Sequence, residues 1–363
     1  MRPNHPLKES KSQMTSNTES ENGRYVPLVS IIVPLYNGRM YIRQLLKSIY
    51  ESDYENLEVI VVDDASTDKG SEIVTSGFHR TRLIRNPTNR GKSWSLNRGI
   101  VAASGDFLVM TDQDLTFDKA LLSKWVNALT KNPRVGICGC YVYYNSSPTL
   151  LFTSGSKFDR RRGLPRMPRT NIELDYSNEH YEESDDWVFD NLYIVRRSVL
   201  DSVGLFDYRN FPTVYEEADL QLRAAEAGYM KSIVPGARAY HEVPRGRLAQ
   251  LRRFTNYKAE MLCRNRLILI RKLELDALPT MFALSLRSIV FYSFVAAIQR
   301  TPLRERTALF KSVVRGVSRG LLDPVFTNSH PSGQAAIMKH MERDSVLLSN
   351  IQDSNGLHQD NLS

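Results

Sequence analysis

Asp112 and Asp114 flank a single residue directly after the apolar run Phe107-Leu108-Val109-Met110. Such a run reads as a buried strand that delivers acids to the C-terminal edge of a sheet, the edge where open α/β folds bind ligands. Two carboxylates held this close repel one another unless a cation lies between them, and a divalent ion with oxygen ligands is the usual answer. The competing reading of Asp-x-Asp is a solvated turn, with Asp118 opening the helix that follows. A second acidic group, Asp63-Asp64-Ala65-Ser66-Thr67-Asp68, closes the strand-like run Glu58 to Val62; Asp-rich turns also cap helices freely. A third, Glu216-Glu217-Ala218-Asp219, opens a helical segment, where acids favour the dipole by ~0.3–1 kcal/mol each.

The surrounding pattern supplies the elements that must position these groups. Val29 to Val33 is a continuous apolar run ended by Pro34, as in a buried parallel strand. Ile42, Leu45, Leu46 and Ile49 follow with helical spacing. Leu83-Ile84 predicts a short strand before the polar loop Asn86 to Lys92. Ser93 caps a helix whose face is Leu96, Ile100 and Ala103 and which Gly105 ends. Leu122, Trp125, Val126 and Leu129 mark the next helix. This β-α alternation, at about 30 residues per unit, predicts an α/β fold with a doubly wound, Rossmann-like, mostly parallel sheet.

The second half is less regular. Residues 145 to 187 read as loop, with Arg160-Arg161-Arg162-Gly163 and two prolines nearby; Leu192 to Val195 reads as a strand and Ser198 begins a helix. A further helix from Tyr215 shows Ala218, Leu222 and Ala225 on one face and stops at Gly228. Leu278 to Ile298 is the most apolar stretch and long enough for a bilayer. Arg287 near its centre argues against a span, since such a charge costs ~2.5–3.5 kcal/mol on insertion scales. The expectation is a helix packed on the body or lying at a membrane interface.

The chain has 363 residues, ordinary globular composition and a formal net charge of +8. Positive charge concentrates between Arg245 and Lys272, where Glu260 is the only acid. That run suits a phosphate-bearing or otherwise anionic partner, or a solvated helical face. The nucleic-acid alternative lacks the aromatic interleaving and module signatures such proteins carry. Cys138, Cys140 and Cys263 form neither a zinc pattern nor a disulfide framework; the first two alternate on a strand-like segment and read as packing. Sparse cysteines and a polar N-terminus without a secretory signal predict a cytoplasmic protein. Gly91-Lys92-Ser93 looks like the end of a P-loop, but Asn86 stands where its first glycine is required. No Gly-x-Gly-x-x-Gly follows the first strand, which disfavours NAD, and no Gly-x-Ser-x-Gly elbow occurs.

Taken in order, Pro34-Leu35-Tyr36-Asn37, Asp63-Asp64-Ala65-Ser66-Thr67-Asp68, Asn89-Arg90-Gly91, Asp112-Gln113-Asp114, Glu216-Glu217-Ala218-Asp219 and His241 closely resemble the motifs of the family 2 glycosyltransferases. Val203-Gly204-Leu205-Phe206-Asp207 looks like the family's Val-Gly-Gly-Phe-Asp turn. The resemblance runs from about Val29 to His241 and implies a GT-A fold. It implies an inverting enzyme that moves a sugar from a nucleoside-diphosphate donor to an acceptor hydroxyl. On that resemblance Pro34, Tyr36 and Asn37 wall the base and ribose. Asp63 takes the ring N–H of the base, and Asn89, Gly91 and Asp112 complete the nucleotide-sugar site. Asp112, Asp114 and His241 hold Mn²⁺ or Mg²⁺. Glu217 is the catalytic base, where the family usually has Asp; its extra methylene leaves Glu216 or Asp219 as alternatives. Arg264-Asn265-Arg266 resembles a segment of rhamnosyltransferase-like and other glycan-building members, which implies a glycan or lipid-linked acceptor and peripheral contact with the cytoplasmic membrane face. The alternative is a GT-A-like sugar-nucleotide or glycan-binding module without activity. The expected organisation is a disordered arm over 1–26, the transferase domain over 27–242, a basic, amphipathic helical extension over 243–327 and a polar tail over 328–363.

Overall fold

The computed structural model describes residues 25–159, 164–245, 255–273, 277–298, 303–326 and Met341. Residues 1–24 of the expected N-terminal arm, Arg160 to Gly163, and all of the polar tail except Met341 lie outside them. The first half contains β1 (Val29–Leu35), α1 (Ile42–Tyr50), β2 (Leu57–Asp63), α2 (Gly70–Gly77), β3 (Thr81–Arg85), α3 (Lys92–Ala102), β4 (Phe107–Thr111), β5 (Leu115–Phe117), α4 (Leu121–Lys131) and β6 (Val135–Tyr144). Then come β7 (Ser147–Thr153), β8 (Ser156–Asp159), β9 (Leu164–Arg166), β10 (Ile172–Glu173), β11 (Glu182–Ser184), β12 (Trp187–Val188), β13 (Leu192–Arg196), α5 (Arg197–Val203), α6 (Glu216–Glu226) and β14 (Met230–His241). The C-terminal part contributes α7 (Asn256–Lys272), α8 (Ala277–Ile298) and α9 (Leu303–Leu322).

β4, β1, β2 and β3 lie side by side and parallel, with Leu35 opposite Asp63 at the C-terminal edge. Both faces of this half are covered, which is why β1, β2 and β4 read as unbroken apolar runs. On one face Val29, Ile31 and Val33 pack with Leu45 and Ile49 of α1 and Trp125 of α4. On the other, Ile32 and Ile60 meet Leu96 and Ile100 of α3. Beyond β4 the sheet becomes mixed: β13 inserts antiparallel between β4 and β6, and β14 runs parallel to β6. This is the α/β architecture the sequence predicts, a Rossmann-like sheet flanked by helices with a C-terminal helical extension.

Residues 145 to 187 differ from the expected loop. They form β7 to β12, including a separate three-stranded sheet ordered β12-β8-β9. These strands are short, and β7 and β10 carry exposed residues on both faces, so no continuous apolar run announces them. α3 begins at Lys92, and its N-cap is Gly91 rather than Ser93. The Ser93 hydroxyl instead donates to the Phe211 carbonyl.

Arg245 and Lys258 of the basic run are exposed, but the rest of what the structure describes is tied into the fold. α7 buries Arg264, whose guanidinium donates to the Asn210 carbonyl at 2.8 Å and to Asp323 at 2.7 Å. Arg271 donates to the carbonyls of Gly320 and Asp323, and Lys272 bridges Asp207 (2.7 Å) and Asp219 (2.6 Å). Ile268 and Leu269 join Phe158, Phe211 and Leu222 in one apolar cluster. α7 therefore packs directly on the α/β body. Its opposite side packs against α8 and α9 through Cys263, Leu267, Leu284 and Val313.

Candidate active site

Gln113 ties β1 to the end of β4. Its side-chain oxygen accepts from the Tyr36 amide (2.9 Å) and its nitrogen donates to the Tyr36 carbonyl (3.0 Å). The two acids beside it then project at the sheet edge, where a cleft of about 620 Å³ opens. Its walls include Pro34, Tyr36, Asp64, Asn89, Lys92 and Asp114. Gly91 and Asp112 also line it, as do Thr213 and, from α7, Tyr257. Asn37, Asp63, Glu217 and His241 are not among the lining residues. Asn37, with φ 47, accepts at Oδ1 from the Thr67 amide and so ties the two turns together. Asp63 accepts from the Ser66 amide (2.9 Å), with Arg85 3.8 Å away.

Asp64 builds the opposite wall. Its carboxylate accepts from Asn86 (2.6 Å) and from the Arg90 and Gly91 amides (2.9 and 2.8 Å). Burial raises its pKa, and those hydrogen bonds pull against the rise without cancelling it. Gly91 has φ 88, and a Cβ there would stand 2.7 Å from the Pro212 carbonyl oxygen, so the turn requires glycine. That turn aims the first residue of α3, Lys92, into the acids.

Lys92 is the centre that sequence reasoning passed over. Its ammonium lies 2.6 Å from Asp112, 2.5 Å from Glu217 and 3.5 Å from Glu216. Burial disfavours its charge, but the three carboxylates outweigh that and hold it protonated, well above the usual lysine range. Burial would likewise raise Asp112; Lys92 and a 2.5 Å hydrogen bond from Asn191 hold it below the ordinary value instead. Burial and the neighbouring Glu217 push Glu216 well up, and its second oxygen has no hydrogen-bond partner. Asp190 was also missed. Burial first, then Glu217 and Asp112, raise it to about 7 against the pull of Lys92. Asp219, the third acid of its motif, takes Arg223 and Lys272 and is a structural anchor of α6. One signal could have exposed Lys92: a cation in the first turn of a helix opposes the dipole and needs acidic company.

The Glu216–Asp219 motif follows strained backbone. Val214 and Tyr215 have φ of 64 and 72 directly before α6, a conformation costing ~1–3 kcal/mol for each such residue. α7 holds them there: Asn265 donates to the Thr213 and Val214 carbonyls (2.7 and 2.9 Å), and Arg266 donates to the Tyr215 hydroxyl.

Asp114, at the cleft, meets buried His241, whose Nε2 lies 3.2 Å from the carboxylate while its Nδ1 has no partner. Among the described residues no three His, Cys, Asp or Glu side chains form a closed metal cluster. An oxygen and an imidazole nitrogen that converge at a cleft fit an ion completed by substrate phosphates, as Mg²⁺ and Mn²⁺ sites commonly are. Asp112 is held by Lys92 and Asn191 and could join such a set only by releasing Lys92.

Comparison with known proteins bears on the fold and the family. Residues 30–188 match the sequence profile described as "Glycosyl transferase family 2". That match covers less than half of the chain, and the likeness to this family lies in that segment. An uncharacterized glycosyltransferase of Haemophilus influenzae is 34% identical over 139 residues, 37% of this chain and 56% of that protein. An N-acetylglucosaminyl-diphospho-decaprenol L-rhamnosyltransferase of Mycobacterium tuberculosis is 22% identical over 241 residues, 59% of this chain and 76% of that one. The chain spans about half the length of the first curated relatives it matches. The solved mannosyltransferase of Pyrobaculum calidifontis, in complex with GDP-Man and Mn²⁺, shares the fold with a TM-score of 0.51 at 22% identity, over 82% of this chain and 88% of that one. The fold is therefore that of the GT-A glycosyltransferases.

Proposed function

We propose that this chain is an inverting glycosyltransferase that moves a sugar from a nucleoside-diphosphate donor to an acceptor hydroxyl. The observation that carries the reading is the Asp112–Lys92–Glu217 chain of contacts, 2.6 and 2.5 Å long, which links buried Glu217 to a cleft lined by Lys92, Asp112 and Asp114. Pro34 and Tyr36 flank the nucleoside. The Asp63–Asp64 pair supplies the acceptor for a base N–H, Asp64 being the member already at the wall. Asn37, Asn89 and Gly91 shape the turns around it. Asp114, His241 and, once freed, Asp112 are the residues that would hold Mn²⁺ or Mg²⁺. When bound, the ion neutralises diphosphate charge.

Glu217 takes the proton as the acceptor oxygen forms its bond to the anomeric carbon and the bond from that carbon to the diphosphate oxygen breaks, with the electron pair leaving on the diphosphate. One such displacement inverts the configuration. Lys92 serves both ends of this step. Donor phosphate oxygens compete for its ammonium, which draws it from Glu217 and frees that carboxylate to act as a base. The transferred sugar is a hexose or deoxyhexose, and the acceptor is a glycan or lipid-linked saccharide. The rhamnosyltransferase relative supports that class, and the protein works in the cytoplasm at the membrane surface.

The Lys92 clamp on Glu217 is also what an inactive sugar-nucleotide-binding module would retain. One experiment separates the two. UDP-, dTDP- and GDP-sugars are screened with Mn²⁺ or Mg²⁺ by thermal shift and by release of nucleoside diphosphate. A donor at a hundredfold its Kd stabilises by ~2.7 kcal/mol. Stabilisation with release in the presence of acceptor is the expected outcome; stabilisation without release under every acceptor condition identifies a binding module.

A further inference from the structure

α8 is predominantly apolar, and its described side chains divide between an inward and an outward side. Met281, Leu284, Ser288 and Val295 turn inward onto α7 and α9. On the outside, Phe282, Leu286, Val290 and Phe294 recur every fourth residue, and they are 72%, 53%, 61% and 62% exposed. Side chains at that spacing form one continuous stripe along a helix. Water is an unfavourable neighbour for four large apolar groups in a row, and a patch of this kind marks a docking surface.

We propose that this stripe lies in the interfacial layer of an anionic lipid membrane, with α8 parallel to the surface. Three observations select lipid. No helix among the described residues is long and apolar enough to cross a membrane, so α8 rests on the surface rather than spanning it. Arg287, exposed beside the stripe, is the only charged residue in the sequence of the helix, and its length lets it reach the headgroups while the stripe sinks. The next helix adds exposed Arg304 and Lys311, which favour anionic headgroups. A second copy is the poorer occupant. Arg287 lies near the middle of both α8 and its stripe, so a two-fold antiparallel contact would set the two guanidinium groups against each other. The surface differs from the one the charge pattern alone suggests, since Arg264, Arg271 and Lys272 are spent on internal contacts.

The test does not depend on the transferase reading, because it measures partition and not turnover. The full chain is floated with vesicles of phosphatidylcholine alone and of phosphatidylcholine mixed with phosphatidylglycerol. It should bind the mixed vesicles at least ~10-fold better, as expected of an apolar helix with cationic flanks. The double variant Phe282→Gln, Phe294→Gln alters only exposed positions; it should keep the parent's melting temperature and lose at least ~10-fold in partition. Arg287→Gln should lose preference for the anionic lipid while keeping residual binding to both compositions. The proposal is overturned if the parent does not float, if the double variant floats like the parent, or if the parent sediments as a dimer that the double variant converts to monomer.

Discussion

Replacing Asp190 with Asn should flatten the pH dependence of stability through the acidic and neutral range. Asp190 is half-buried at the rear of the Lys92 cluster, and its carboxyl is raised from 3.8 to about 7 by burial, Glu217 and Asp112. A raised folded-state pKa means that the folded protein binds the proton more tightly than the unfolded chain. Stability from this group is complete below the unfolded value near 3.8 and is lost as pH rises toward about 7. Three units at about 1.4 kcal/mol each set a ceiling on the order of 4 kcal/mol; partial access to water lowers the realised figure to roughly half. The assay is urea unfolding of parent and Asp190→Asn at intervals from pH 4 to pH 8, in EDTA so that Asp112 remains with Lys92. The variant should gain on the parent as pH rises and level off above pH 7. A stability difference that stays constant across the range would refute the assignment of a raised carboxyl at this site.

Glu217→Gln should retain donor binding by calorimetry and lose ~10²–10⁴ in turnover, the usual effect of removing a general base; parent-like turnover would remove Glu217 from that role. Lys92→Met leaves buried Asp112, Glu216 and Glu217 without their cation and should cost ~3–5 kcal/mol in a denaturant melt at pH 8, together with donor affinity. Asp114→Asn should weaken donor binding even with Mn²⁺ in excess, and EDTA should abolish transfer by the parent; full transfer in chelator would count against a metal held by Asp114 and His241. Asn265→Ala removes both hydrogen bonds to the left-handed turn and should cost ~1–3 kcal/mol, with turnover falling more than donor affinity. Equal losses in both would indicate general loosening.

The parallel half of the sheet is legible because burial on both faces forces β1, β2 and β4 into apolar runs, and the acids stand out where those runs end. β14 is hidden for the opposite reason. It carries Lys231, fully buried with its ammonium on the Gln221 carbonyl, and Arg238, paired with Glu179; polar residues at such positions erase the strand pattern. β7 to β12 are similarly masked by partial exposure and brevity. The acids and His241 of the site can be picked out from their order along the chain, but the group that organises them cannot. Lys92 acquires its meaning from Glu217, 125 positions away, and no local window contains both. The basic run misleads in the same way: charge is visible in sequence, whereas the carbonyls and acids that absorb it are contributed by α6, α9 and the segment before α6.

The left-handed turn at Val214 and Tyr215 links the fates of two distant parts of the chain. Its shape is written into residues 213 to 215, but what keeps it is Asn265 and Arg266. A chimaera that grafts the C-terminal helices of one relative onto the sheet of another would therefore inherit a base loop without its keeper. Productive exchanges must carry both segments together. The same coupling predicts that substitutions at 213–217 and at 265–266 arise as pairs when laboratory selection changes the acceptor, with neither member tolerated alone.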